Sequence, residues 1–283
     1  MLDFLPTQLK YLILSCFATI YEVRIRVDKP TLVKGNNGIK TLVKEVKHTS
    51  NKKELEQIVL KLCNHSIFSV ESSLKNGFIT SKNGERVGIC GEAVFMDDKV
   101  KSIKNFTSLV IRFPNDVYGC STEYIKSIKE PKSCLVISPP FHGKTTFIRD
   151  LGRAYSNTFN QNVLYVDERD ELSGSGAFDL GKNSDVIRFA NKTFGFFNGV
   201  RAYNPDVIIC DELMSTNDCS GVEFAKHSGV KVIASAHANN LENLLKKTDL
   251  SAIIKKNTFD NIIQLNCFKI EKIYGEQDWQ KYF

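Results

Sequence analysis

Ile137-Ser138-Pro139-Pro140-Phe141-His142-Gly143-Lys144-Thr145-Thr146 falls one residue short of the phosphate-binding pattern G-x-x-x-x-G-K-[ST], because Ser138 stands where the first glycine belongs. The chemistry such a stretch performs is anion capture. Backbone N–H groups of the loop and of the following helix N-terminus converge on phosphate oxygens. Lys144 reaches the outer phosphates and the Thr145 hydroxyl ligates Mg²⁺. Gly143 is retained beside the lysine, where close approach of backbone to phosphate matters most. Ser138 ends a strand, a place that a small residue can fill. Pro139 and Pro140 stiffen the loop and remove two donors near its start, while His142 keeps a backbone donor and adds a side-chain one.

Further along, polar groups recur where apolar runs stop. Val207-Ile208-Ile209-Cys210 leads into Asp211-Glu212, 67 residues after Lys144. Here Asp211 is suited to hold Mg²⁺ through water and Glu212 to polarise an attacking water. Val163-Leu164-Tyr165-Val166 leads into Asp167-Glu168-Arg169-Asp170-Glu171, and Val232-Ile233-Ala234-Ser235 leads to His237. Each group has an ordinary alternative, as exposed acids at a strand end or a polar core histidine. In a parallel sheet, however, ligands gather at the carboxyl ends of strands, and all of these groups fall there. His237 is placed to sense a γ-phosphate. Arg201, just before Ala202-Tyr203-Asn204-Pro205, is either a phosphate contact or an exposed helix-end arginine.

The elements that must position these groups follow from hydrophobic period and turn chemistry. Strands are expected over 134–137, 163–167, 206–210 and 230–235, with helices over 144–156, 219–228 and 240–247, followed by a closing hairpin at 259–266 and 268–274. Alternation of strand and helix predicts an α/β core with a parallel sheet. The preceding part reads as α+β. Strands are expected at 22–27 and 108–113, a helix over 51–64, and a hairpin about Asn83-Gly84 within Gly77 to Phe95. An amphipathic helix is expected near the start, with Leu5, Leu9, Leu12, Ile13, Cys16 and Ile20 on one face; a membrane-lying or partner-binding role is its alternative. The chain is therefore expected to divide into residues 1–125 and 126–283.

Composition excludes several classes. The chain has 283 residues, 42% hydrophobic and 25% charged, which is ordinary for a globular protein of about two domains. The apolar run from Tyr11 to Tyr21 is too short to span a bilayer, and no signal peptide is evident. The 8 cysteines contain no Cys-x-x-Cys pair, arguing against a zinc site or a disulfide framework and for a reducing cytoplasm. The net charge of +6 is uneven, with 18 Lys and Arg against 13 Asp and Glu in residues 1–125, and 20 against 19 beyond. That imbalance is the sole support for a nucleic-acid motor; no aromatic-basic signature of an RNA-binding sheet accompanies it, and no specific nucleic acid is expected.

Taken together, "SPPFHGKTT", "VDERDEL", "VIICDE" and "SAHANN" resemble the four boxes of the secretion ATPases, the hexameric type II and type IV traffic ATPases: Walker A, Asp box, Walker B and His box. Within that superfamily, "EVRIRVDKP", "GFITSKNGERVGICGEAV", "SLVIRF", "ISPPFHGKTTFIRDL" and "VDERDEL" look like landmarks of the stage III sporulation protein AA family, over roughly residues 20–250. The resemblance implies a RecA-like P-loop NTPase core with an N-terminal α+β domain, acting as a Mg²⁺-dependent ATPase with ATP as its nucleotide. It implies phosphate contacts from Ser138, Pro139, Pro140, Phe141, His142, Gly143, Lys144, Thr145 and Thr146, joined by His237 and Arg201, and metal contacts from Thr145 and Asp211. Its catalytic set is Lys144, Glu212, Asp167 and Glu168, which leaves open which acid dominates. It further implies a homo-hexamer at the cytoplasmic side of the inner membrane, in the mother cell, serving integral membrane proteins of a sporulation channel. Basic residues of the first domain, Arg24, Arg26, Arg86 and Arg112 among them, would close the site of a neighbouring subunit. Three departures stand out: Phe141 and His142 replace the usual loop glycines, Met214-Ser215 stands where these ATPases carry an arginine, and the Asp-box acids are shifted in type, Asp167 matching the leading acid and Glu171 a later glutamate. A slow or inactive nucleotide-binding scaffold is the alternative that the first departure favours.

Overall fold

A computed structural model describes residues 2–36, 41–63, 78–96 and 99–283. The chain divides into two compact units: Met1–Asn115 with Ser175–Ala177, and Asp116–Gly174 with Phe178–Phe283.

The first unit begins with α1 (Thr7–Leu14), β1 (Thr19–Arg26), β2 (Pro30–Asn36), β3 (Thr41–Thr49) and α2 (Lys52–Leu62). It continues with β4 (Phe78–Thr80), β5 (Arg86–Met96) and β6 (Lys99–Arg112). The strands form one antiparallel sheet in the order β3-β2-β1-β6-β5-β4. Period-2 alternation gives it two chemically distinct faces. Val23, Ile25, Val87, Ile89, Leu109 and Ile111 join Leu9 and Ile13 of α1 and Leu55, Ile58 and Val59 of α2 in a single core. The register sets Arg86 opposite Arg112, Glu22 opposite Arg112 and Arg24 opposite Val110, so Arg24, Arg26, Arg86 and Arg112 share the face away from that core. α2 starts where Asn51 accepts the Glu54 N–H at 2.9 Å, an N-cap that satisfies an otherwise orphaned donor. The Asn83-Gly84 hairpin forms, with Gly84 at φ 82°. The expected first helix is shorter than its apolar pattern, since Ile20 lies in β1. Asn64, at the end of the second expected helix, and Gly77, at the start of the hairpin segment, lie outside the described residues.

The second unit starts with α3 (Thr122–Ser127), β7 (Cys134–Ser138), α4 (Lys144–Thr158), β8 (Val163–Asp167) and β9 (Ser184–Arg188). There follow α5 (Lys192–Tyr203), β10 (Val207–Cys210), α6 (Thr216–His227) and β11 (Lys231–His237). The last elements are α7 (Leu241–Leu245), α8 (Thr248–Lys255), β12 (Asn261–Asn266), β13 (Lys269–Tyr274) and α9 (Glu276–Gln280). The sheet order is β13-β12-β7-β11-β10-β8-β9, parallel throughout except for the β12–β13 hairpin. Strands β7, β8 and β10 are buried along their whole length, which is why they read as unbroken apolar runs. Phe147, Ile148, Leu151 and Tyr155 of α4 cover one face. Phe196, Val222, Leu244 and Ile253, from α5 to α8, cover the other. The expected helix 240–247 forms only as the shorter α7, and α6 begins earlier than the expected residue 219, at a capping box of Ser215 with Asp218.

The entry into this unit is stapled to α4. Arg153 donates to both carboxylate oxygens of Asp116 at 3.2 Å and to the Val117 carbonyl at 2.9 Å. Asp150 accepts from the Gly119 and Ser121 N–H groups at 3.0 and 2.8 Å and from the Ser121 hydroxyl at 2.7 Å. Arg153 and Asp150 are nearly fully buried and 3.3 Å apart, a paired arrangement that avoids the cost of isolated buried charge.

Candidate nucleotide site

The loop between β7 and α4 is built from backbone conformation first. Gly143 caps α4 with φ +91°, a left-handed geometry that glycine adopts without steric cost. Phe141 is also left-handed, at φ +64°, and its ring is 95% exposed. Ser138 is fully buried at the end of β7, and its hydroxyl donates to the Pro139 carbonyl at 2.8 Å. A serine therefore closes the strand where the glycine of the motif would stand. Pro140 is exposed at the tip, His142 is half-buried, and the Thr146 carbonyl faces the Cys120 thiol at 3.8 Å.

Lys144 folds back under the loop. Its ammonium donates to the Ser138 and Pro139 carbonyls at 3.1 and 3.2 Å and to Nδ1 of His237 at 2.8 Å. Burial holds its pKa below the ordinary lysine value, and the nearby charges of Asp211 and Glu212 oppose that shift. Since Nδ1 of His237 accepts from Lys144, the ring proton belongs on Nε2, which stands 3.0 Å from Oε1 of Glu212. The second oxygen of Glu212 lies 3.4 Å from Arg169. Lys144, His237 and Glu212 thus form one chain of contacts across β7, β11 and β10.

The end of β10 is fixed by a different set. Asp211 accepts from the Thr145 hydroxyl at 2.8 Å through Oδ2, and from the Glu212 N–H at 2.9 Å and the Ser235 hydroxyl through Oδ1. Glu212 has φ +37°, an uncommon conformation that turns the chain sharply after the strand. A hydroxyl and a carboxylate at the head of a helix are the donors Mg²⁺ uses when phosphate and water supply its other oxygens. Among the described residues no group of three or more His, Cys, Asp or Glu side chains gathers at metal-holding distance.

Of the two Asp-box acids in the expected catalytic set, Asp167 is 2% exposed, and both its oxygens are occupied. Oδ1 accepts from the N–H groups of Glu171 and Leu172 at 2.8 and 3.2 Å; Oδ2 accepts from the N–H and hydroxyl of Ser173, each at 2.7 Å. Glu168 points elsewhere, into an ion pair of 2.7 Å with Lys192. Arg169, Glu168 and Lys192 line a cleft with Asp211 and Glu212 at the ends of β8 and β10. Arg201 is not brought to the loop. It stands exposed in the last turn of α5, which leads into the start of β10 and hence lies at the opposite end of the sheet. Sequence reasoning missed Ser235, Arg169 and Lys192. Ser235 carried a signal, since it sits two residues before His237 on the same strand face, as did Arg169, which lies within the acidic run after β8.

The sequence model of the family "Sporulation stage III, protein AA" matches residues 7–278. Stage III sporulation protein AA of Bacillus subtilis (strain 168) is 30% identical over 273 residues, spanning 91% of this chain and 87% of that protein. Among solved structures, the pilus retraction motor PilT with bound ADP superposes with a TM-score of 0.62 at 12% identity, over 91% of this chain and 76% of its own. The Legionella pneumophila ATPase DotB gives a TM-score of 0.53 at 16% identity, over 87% and 72%. At such identities the structural likeness speaks for fold, and the fold is that of the RecA-like secretion ATPases. The sequence match, running over nearly the whole length, speaks for kinship, and the chain belongs to the stage III sporulation protein AA family.

Proposed function

We propose that this chain is a Mg²⁺-dependent ATPase that works as a homo-hexamer on the cytoplasmic face of the mother-cell inner membrane, driving integral membrane proteins of a sporulation channel. The observation that carries the catalytic part is the convergence of Lys144, Thr145, Asp211, Glu212 and His237, which come from three separate strand ends. The assembly and the channel rest on kinship with the Bacillus subtilis protein and on the likeness to traffic ATPases.

In this reading the loop N–H groups and Lys144 bind the phosphates. Thr145 and Asp211 would hold Mg²⁺, which supplies neutralisation of phosphate charge. Glu212 orients the attacking water, and His237 holds Glu212 and senses whether Lys144 is engaged. Asp167 shapes the loop behind the site, and Glu168 with Lys192 forms its outer wall. Such a site acts by positioning and by fixed charge, since phosphoryl transfer asks for little covalent work by the protein.

A second reading, a nucleotide-binding scaffold with little turnover, is favoured by Phe141, whose left-handed backbone is costly for an aromatic residue. One experiment separates the two. ATP hydrolysis by the intact chain that is lost in Lys144→Ala supports the enzyme. ATP binding without Lys144-dependent turnover supports the scaffold, and absence of ATP binding rejects both.

A further inference from the structure

The β12–β13 turn is built against its own local chemistry. Asn266 pairs with Lys269, leaving Cys267 and Phe268 as a two-residue turn. Both are left-handed, at φ +47° and +67°. Turns of this kind favour Asn-Gly or Gly-Gly because positive φ is required twice. A phenylalanine in the second position is strained, and its side chain gains little burial in return, being 60% exposed. Strain that is held by contacts with a neighbouring loop and not by burial in the core points to function.

The turn is locked to the phosphate loop. The Phe268 N–H donates to the His142 carbonyl, and the Cys267 N–H to His142 Nδ1, both at 3.2 Å. The Phe268 ring lies over Gly143 so closely that a methyl group there would stand 2.4 Å from Cδ1. The position of the turn in the sheet gives this contact its meaning. β7 lies between β11 and β12. His237, on β11, and Glu212, at the end of the next strand, mark the side where the terminal phosphate must lie. A triphosphate held by the loop in that direction sends its nucleoside the other way, towards β12 and the exposed ring of Phe268.

We propose that Phe268 is the stacking wall for the base of the bound nucleoside triphosphate. The proposal rests on the nucleotide reading of the loop and adds the part of the ligand that the loop itself does not contact. Every base has a π-face, so such a wall contributes affinity with little choice among bases.

The test compares Mg·ATP with inorganic tripolyphosphate, which has the phosphates and no base, by calorimetry on the full chain. Phe268→Ala and Phe268→Gly are expected to weaken ATP binding about 5- to 100-fold, the range of base–aromatic stacking, and to leave tripolyphosphate binding unchanged. Phe268→Tyr keeps ATP affinity. Phe268→Gly also relieves the turn, so it melts at or above the parent temperature while binding ATP less well, a combination that a purely structural role does not produce. Equal weakening of both ligands would mean that Phe268 merely props the loop, and unchanged ATP affinity would mean that the base lies elsewhere; either overturns the proposal. Failure of the parent chain to bind either ligand, or equal binding by Lys144→Ala, rejects the underlying nucleotide reading and the proposal with it.

Discussion

At the scale of single residues, the site is organised by what Lys144 gives up when it is buried. Its ammonium is nearly out of water and is held by carbonyls and His237. Burial lowers its pKa from 10.5. In the window between that lowered value and the unfolded one, the unfolded chain binds the extra proton, so this group makes folding more favourable as pH rises. Phosphate reverses the preference, because it stabilises the charged amine. Nucleotide binding is therefore expected to take up protons at alkaline pH, and ATP affinity is expected to fall as pH rises through the lowered value; calorimetry in buffers of different ionisation enthalpy measures the uptake. Glu212 has a separate signature. Glu212→Gln keeps the size and one acceptor oxygen but loses the carboxylate proposed as the base, so turnover is expected to fall by about 10²–10⁴ with ATP affinity retained, as read by steady-state rates beside equilibrium binding. His237→Ala frees both Lys144 and Glu212, and its loss is likewise expected in kcat more than in Kd. The placing of Lys144, Asp211 and His237 near one another was legible in advance, because each lies at or just beyond the end of a buried apolar strand. The division of labour in Asp167-Glu168 was not, since adjacent acids look alike until one is seen saturated by the 171–173 loop and the other paired with Lys192. Arg201 was misplaced for a related reason. Proximity in sequence to Asp211 carried no information about which end of the sheet it occupies.

Among the elements, what was hidden and what was plain have one cause. Strands buried on both faces must be continuously apolar, so β7, β8 and β10 declared themselves. α5 did not, because "KTFGFFNGVRAY" carries Gly195 and Gly199, which lower helix propensity by about 1 kcal/mol each. Packing overrides that cost. A methyl at Gly195 would stand 2.2 Å from Val166 Cγ1, and one at Gly199 would stand 2.6 Å from Leu164 Cδ2. The two glycines, one turn apart, let the helix lie close on β8, directly behind the Asp box. Propensity alone would make Gly195→Ala stabilising. The contact reverses the sign, and the expected outcome is destabilisation on the order of 1–3 kcal/mol from overpacking, measured by denaturant unfolding. Ser228 offers a control at the end of α6, away from this contact; Ser228→Ala is expected to change stability far less.

For the molecule as a whole, charge is the property that local structure does not explain. The excess of Lys and Arg falls in residues 1–125, and register gathers Arg24, Arg26, Arg86 and Arg112 on the coreless face of one sheet, with Glu22 the carboxylate among them. Arg24 and Arg112 lie 2.5 and 3.9 Å from that glutamate, so one negative charge is shared between two guanidiniums. Such a face repels a copy of itself and attracts an anion or an acidic surface. Under the assembly proposed above, this predicts association that depends on bound nucleotide and on salt. Light scattering is expected to show a larger particle with Mg·ATP than without, and the gain is expected to shrink between low and high ionic strength as these charges are screened. The double variant Arg86→Glu with Arg112→Glu is expected to bind ATP like the parent in dilute solution, yet to lose turnover at concentrations where the parent associates. A particle that stays monomeric in Mg·ATP at every salt concentration, with turnover independent of protein concentration, would instead assign the arginine face to some task other than assembly.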